Sequence, residues 1–158
     1  MRNVLRMTIV LLTFAASASA QQRLKASGSK EKDPCASAMT QYDINQCTLK
    51  EYHKAEAHLN AIYAKLLALM GQDFARARQR NDSELETFDK TALRKLREVQ
   101  GIWLQYRSHE CGAAEQQIDG GSMSPAVWAE CMTEVTNDRI KELKHDYETP
   151  DRTLNEAN

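Results

Sequence analysis

From Ile44 to Leu143 the apolar residues return every three or four positions and nowhere in convincing alternation, so the chain is built for helices that each bury one face. Ile44, Cys47, Tyr52, Ala55, Leu59, Ile62, Leu66 and Met70 mark the first such face. Thr40, followed three residues later by Asp43, is an acidic analogue of the capping box and suits the start of that helix. Gly71 is expected to end it, giving about 30 residues and a length of roughly 45 Å. Residues 71–82 are ambiguous, because Phe74, Ala75 and Ala77 tolerate helix while Arg76, Arg78 and Arg80 read as a solvated face. Ser83 with Glu86 gives a second capping signal, and Leu85, Phe88, Ala92, Leu96, Val99, Trp103 and Tyr106 form a second stripe, expected to run to about Cys111 and stop at Gly112. Gly112 to Pro125, with Gly120-Gly121-Ser122, is a loop by composition. Ser124 then suits a third cap with Pro125 in first position, on a helix burying Trp128, Cys131, Val135, the stem of Arg139, and Leu143. The fold expected is all-α: a three-helix, up-down-up bundle with long first and second helices, reinforced by disulfides at one end.

The reinforcement follows from Cys35, Cys47, Cys111 and Cys131, which lie downstream of what reads as a secretory signal over residues 1–20. Arg2 and Arg6 precede the apolar stretch Met7 to Ala16, and Ala18-Ser19-Ala20 is a small-x-small cleavage pattern. Cleavage before Gln21 leaves 138 of the 158 residues, the size of one domain. The apolar run is too short for a convincing membrane span, so none is expected in the mature form. An oxidising compartment makes the cysteines two disulfides. The expected topology gathers all four at one end, and three connectivities are open. Doubling of the segment from Cys35 to Thr40 over the first turns favours Cys35–Cys47 with Cys111–Cys131, while a bond crossing helices, such as Cys47–Cys111, is the alternative. A bond of either type adds about 2–4 kcal/mol. Residues 21–34 read as a flexible arm, 35–146 as the helical domain and 147–158 as a polar tail.

Several chemistries find no support. Cysteine spacings of 12, 64 and 20 residues contain no C-x2–4-C knuckle for zinc and no C-x-x-C redox pair. No metal and no cofactor is expected. His53 and His58 are five apart and do not share a face cleanly; His109 and His145 read as surface residues. The G-x-S-x-G elbow, the H-E-x-x-H pair, the P-loop and the dinucleotide fingerprint do not occur. Carboxylate pairs such as Glu84 and Glu86, or Asp43 and Glu51, look like solvated helix faces. The chain is therefore not expected to be an enzyme. The mature chain carries 19 Lys and Arg against 22 Asp and Glu, a formal charge of −3 that argues against nucleic acid and is compatible with a cationic protein partner.

The densest constellation is Gln100-x-x-Trp103-x-x-Tyr106-Arg107-x-x-x-Cys111. Trp103 and Tyr106 read as core aromatics and Arg107 as the partner of a carboxylate, or as an organiser of the turn through loop carbonyls or Asp43. Arg139, in Thr136-x-x-Arg139-x-x-x-Leu143, reads similarly as a structural arginine. Together with Cys35, Thr40-Gln41, Asn45-x-Cys47, Tyr52-x-x-Ala55, Leu59-Asn60-x-x-Tyr63, Gly120-Gly121-Ser122 and Cys131, this order of residues resembles the lysozyme inhibitor LprI-like domain family over about residues 35–145. The resemblance implies a small disulfide-bearing helical domain of exported bacterial proteins, one branch of which inhibits lysozyme. Lipoprotein members carry a lipobox, which this chain lacks, so a soluble periplasmic protein is expected.

The function these observations favour is a periplasmic, non-enzymatic binding protein that inhibits lysozyme or another cell-wall-acting muramidase. The alternative is a structural or assembly protein of the envelope. No inhibitory motif carries over residue by residue, so the contact surface is argued from loop logic: it is the loop Gly120 to Pro125 and the nearby arm, with Gly120, Gly121 and Ser122 and the acids Glu115 and Asp119 as the candidate partner-binding residues.

Overall fold

In the computed structural model, residues 33–149 and 153–154 are described. The expected signal at 1–20 and nearly all of the expected arm at 21–34 lie outside them. Three helices follow one another, α1 (Gln41–Gln79), α2 (Ser83–Gln116) and α3 (Ser124–Tyr147), in an all-α bundle with both disulfides at one end.

Thr40 caps α1, accepting the Asp43 N–H at 3.1 Å while its hydroxyl donates to the Asp43 carboxylate at 2.7 Å. Contrary to expectation, Gly71 does not end the helix. A glycine inside a helix costs about 1 kcal/mol relative to alanine, and burial beyond it opposes that cost: Phe74 packs on the core and Ala77 is fully buried. The stop comes at Gln79, where Asn81 takes the left-handed conformation (φ 55°). Its N–H then donates to Arg78 O at 3.1 Å and the Asp82 N–H to Ala77 O at 3.1 Å, the paired bonds of a Schellman turn. Asp82, one residue before the expected Ser83, caps α2 by accepting the Leu85 N–H at 3.0 Å. Two helices thus meet across a turn of three residues.

The second glycine expected to stop a helix, Gly112, is also passed, and α2 runs to Gln116. The turn after it needs positive φ at Asp119 (47°) and Gly120 (70°). Ser124 does not cap α3; Met123 occupies that position without a side-chain bond, and the Ser124 hydroxyl donates to Glu115 across the turn at 2.8 Å.

The buried face of α1 is the one its periodicity marks, from Tyr52 to Met70, continued by Ala77. On α2 the face is rotated. Leu93, Leu96, Gln100, Arg107 and Cys111 point inward, whereas Phe88, Val99 and Tyr106 are 68%, 47% and 53% exposed. On α3 the buried positions are Ser124, Ala126, Ala129, Met132, Thr136, Ile140 and Leu143, while Trp128, Cys131, Val135 and Arg139 flank them half-buried. Small residues at Ala126 and Ala129 let the backbones approach, and α1 and α3 share the most extensive interface. Two apolar clusters result. Leu59, Ile62, Leu66, Leu96, Ile140 and Leu143 lead the larger one; Tyr52, Cys111, Ala129 and Met132 form the smaller one beside the disulfides. The segment read as a polar tail carries an anchor, because Leu154 is buried in the larger cluster and its N–H donates to Glu148 Oε1 at 2.9 Å.

Cys35 is bonded to Cys47 (Cα–Cα 5.7 Å) and Cys111 to Cys131 (Cα–Cα 5.5 Å). Bridging the segment before α1 to the second turn of that helix, and α2 to α3, leaves no cysteine for the alternative Cys47–Cys111 bond. No helix among the described residues is long and apolar enough to cross a membrane.

Candidate functional site

Between the two apolar clusters lies a layer of polar side chains that explains the Trp103 to Cys111 constellation. Arg107, 6% exposed, donates to Thr136 Oγ1 at 2.9 Å and to Glu56 Oε1 at 3.0 Å. Tyr52 donates to the same Glu56 oxygen at 2.7 Å. The guanidinium also faces two rings, its carbon lying 5.6 Å from the Tyr52 centroid and 5.1 Å from that of Trp103. Arg139 approaches Trp103 at 5.8 Å, donates to Gln100 Oε1 at 3.2 Å and pairs with Glu142 at 3.0 Å. Trp103 therefore sits between two arginines at the edge of the core.

The carboxylate partner of Arg107 is Glu56 and not Asp43, which is engaged in the α1 cap; among the described residues Arg107 bonds no loop carbonyl. Tyr106, expected beside it in the seam, faces outward. One turn of helix is 3.6 residues, so Trp103 and Arg107 share the inner face while Tyr106 falls almost a quarter-turn away. Burial opposes ionisation of Glu56, but hydrogen bonds from Tyr52 and Arg107 and the charges of Arg107 and His53 together outweigh it and hold the carboxyl below its ordinary range. Burial, helped by the bond to Glu56, pushes the Tyr52 phenol up to about 12 against the pull of Arg107. This layer is a structural lock with its charges paired internally.

The surface suited to recognition lies at the disulfide end. An open groove of about 530 Å³ runs between the start of α1 and the α2–α3 turn, with Gln41, Tyr42, Asn45, Gly120, Gly121 and Ser122 among its lining residues. Asn45 donates to Ser122 O at 3.0 Å and accepts from Gln41 at 2.8 Å, fixing the loop to α1. Tyr42 is 70% exposed over this groove. Of the sequence-predicted contact residues, Gly120, Gly121 and Ser122 line it, while Asp119 stands exposed at the turn. Glu115 is taken up by its bond with Ser124. Gln41, Tyr42 and Asn45 were not singled out as contacts; the available signal was the closeness of Asn45 to Cys47 at the end the cysteines define. Amides, hydroxyls, a phenol and loop backbone give the groove the means to bind by hydrogen bonding and ring contact.

His145 pairs with Asp146 at 3.0 Å and His53 lies 5.3 Å from the Tyr52 ring, both away from the groove. Among the described residues, no three His, Cys, Asp or Glu side chains are grouped so as to hold a metal ion.

No solved structure matches the chain at a significant level. The chain is 36% identical over 138 residues to the uncharacterized protein R02472 of Rhizobium meliloti (strain 1021), an alignment covering 85% of this chain and 88% of the relative. The family model described as "Lysozyme inhibitor LprI" matches residues 32–143, which hold all four cysteines, the buried arginine layer and the groove, and the chain therefore belongs to the LprI family.

Proposed function

We propose that the protein is a periplasmic binding protein that inhibits lysozyme or a similar muramidase and catalyses no reaction of its own. The observation that carries this reading is the family match over residues 32–143. The disulfide-end groove is its contact surface. There the loop Gly120–Ser122 is tied to α1 through Asn45, so a binding surface is presented with little ordering left to do on association. Tyr42 supplies an exposed aromatic anchor, a residue type enriched where binding energy concentrates. Asp119, exposed at the turn, is the acid offered to a cationic cleft, since the Glu115 carboxylate is already bonded. A net charge of −3 on the mature chain favours encounter with a basic enzyme.

The test is capture and inhibition together. Disulfide-intact protein immobilised on a column should retain a muramidase from periplasm, and the same protein in solution should slow lysis of a cell-wall suspension. Retention of one abundant envelope protein and no muramidase would instead favour the assembly-protein alternative.

A further inference from the structure

Among the described residues, the second stripe of α2 is left mostly exposed by the bundle, only Ala92 at its edge packing against the larger cluster. Phe88, Ala92, Lys95, Val99, Ile102 and Tyr106 alternate steps of four and three along the helix, the spacing of a coiled-coil seam. They lie beside the face that Leu93, Leu96, Gln100 and Arg107 turn to the core. Four of them are among the large apolar residues exposed in the described chain: Phe88 at 68%, Val99 at 47%, Ile102 at 61% and Tyr106 at 53%. A run of this kind marks an interaction surface, not scattered surface apolarity.

We infer that this stripe is a self-association surface on which α2 packs antiparallel against α2 of a second copy. The register carries the choice of occupant. With the two-fold axis passing near Arg97, Phe88 meets Tyr106 of the other copy, Ala92 meets Ile102, and Lys95 meets Val99. Each layer then pairs two rings, or a small residue with a large one, or a lysine stem with an aliphatic side chain. Charge complementarity decides orientation. In the antiparallel arrangement Lys95 of each copy approaches Glu98 of the other across the axis; a parallel arrangement in the same register would set Lys95 against Lys95. Both side chains are exposed, at 57% and 49%; Glu98 already pairs with Lys95 (3.1 Å) and Arg94 (3.5 Å) within the helix, and its exposed carboxylate is open to sharing. The seam from Phe88 to Tyr106 is about 27 Å long, at the small end of specific interfaces, so a reversible dimer in the micromolar range is expected.

Sedimentation equilibrium of the disulfide-intact chain through the micromolar range tests this, with circular dichroism of each variant to verify the fold. The native chain should pass from one to two copies as concentration rises. Ile102→Glu should remain a single copy with unchanged helicity. Lys95→Glu and Glu98→Lys should each weaken association by about tenfold, and the double exchange K95E/E98K should return it to within about twofold of the native value. A mass of one copy at every concentration, a dimer indifferent to Ile102→Glu, or a double exchange as weak as the single ones would overturn the proposal.

Discussion

At the scale of single residues, Arg107 and Glu56 carry the most consequence. Removing one partner of a buried ion pair leaves the other uncompensated, which typically costs 3–5 kcal/mol; Glu56 is 34% exposed, so Arg107→Ala should cost nearer about 3 kcal/mol in a denaturant melt. The pH dependence follows from the depressed Glu56 carboxyl. Its folded value lies below the ordinary 4.5, so its contribution is complete above that pH and is lost as pH falls through the folded value. Acid unfolding of Glu56→Gln should therefore lack part of the native slope below about pH 4.5, and an identical slope would contradict the bond network. The Tyr52 phenol acts in the opposite sense: its contribution holds below pH 10 and fades as pH rises towards about 12, which ultraviolet titration against Tyr52→Phe would show. Trp103 packs against the larger cluster but is only partly buried, which moves the expected cost of Trp103→Ala to the lower end for aromatic truncation, about 3 kcal/mol. Glu56 and Thr136 were illegible as partners of Arg107, because a charge pair between residues 51 positions apart has no signature along one chain.

At the scale of elements, the sequence located all three helices and the Thr40 cap of α1, and misjudged where α1 and α2 stop and which faces of α2 and α3 are buried. Gly71 and Gly112 looked like stops because glycine weakens a helix locally; at Gly71 tertiary burial on both sides overrides a penalty of about 1 kcal/mol, while past Gly112 α2 adds only its last turn, tied to the start of α3 by the Ser124–Glu115 bond. The real stop required Asn81 in the left-handed region, and Asn81→Ala should cost about 1 kcal/mol while Asn81→Gly is close to neutral. The face of α2 was misjudged because it carries two adjacent apolar stripes, and hydrophobicity cannot tell which one meets the core. Leu96→Ala, at 2% exposure, should cost about 2–5 kcal/mol, whereas Val99→Ala, at 47%, should stay within about 0.5 kcal/mol. Equal effects in a denaturant melt would return both residues to one face. Beyond α3, Leu154→Ala should destabilise by about 2–4 kcal/mol, a cost that a free tail would not show.

At the scale of the whole molecule, the fold divides its labour along its length. The larger apolar cluster and the arginine layer hold the bundle, while two disulfides fix the end where the start of α1 meets the α2–α3 turn. Reduction should lower the melting temperature and act most strongly on that end, since Cys111 is fully buried in the smaller cluster. The disulfide end was legible from the cysteines and the loop composition; the groove was not, because it needs Tyr42 and Asn45 brought against residues some 80 positions away. On the proposed function, recognition belongs to that end and support to the rest of the bundle. This division is tested most directly by titrating disulfide-intact protein into a lysozyme lysis assay beside Tyr42→Ala, Asp119→Lys and Ile102→Glu, each verified as folded by its melting curve. The expected result is slowing of lysis by the native chain and by Ile102→Glu, with about tenfold or greater loss of potency for Tyr42→Ala and Asp119→Lys. Full potency in both groove variants, with potency lost in Ile102→Glu, would contradict it.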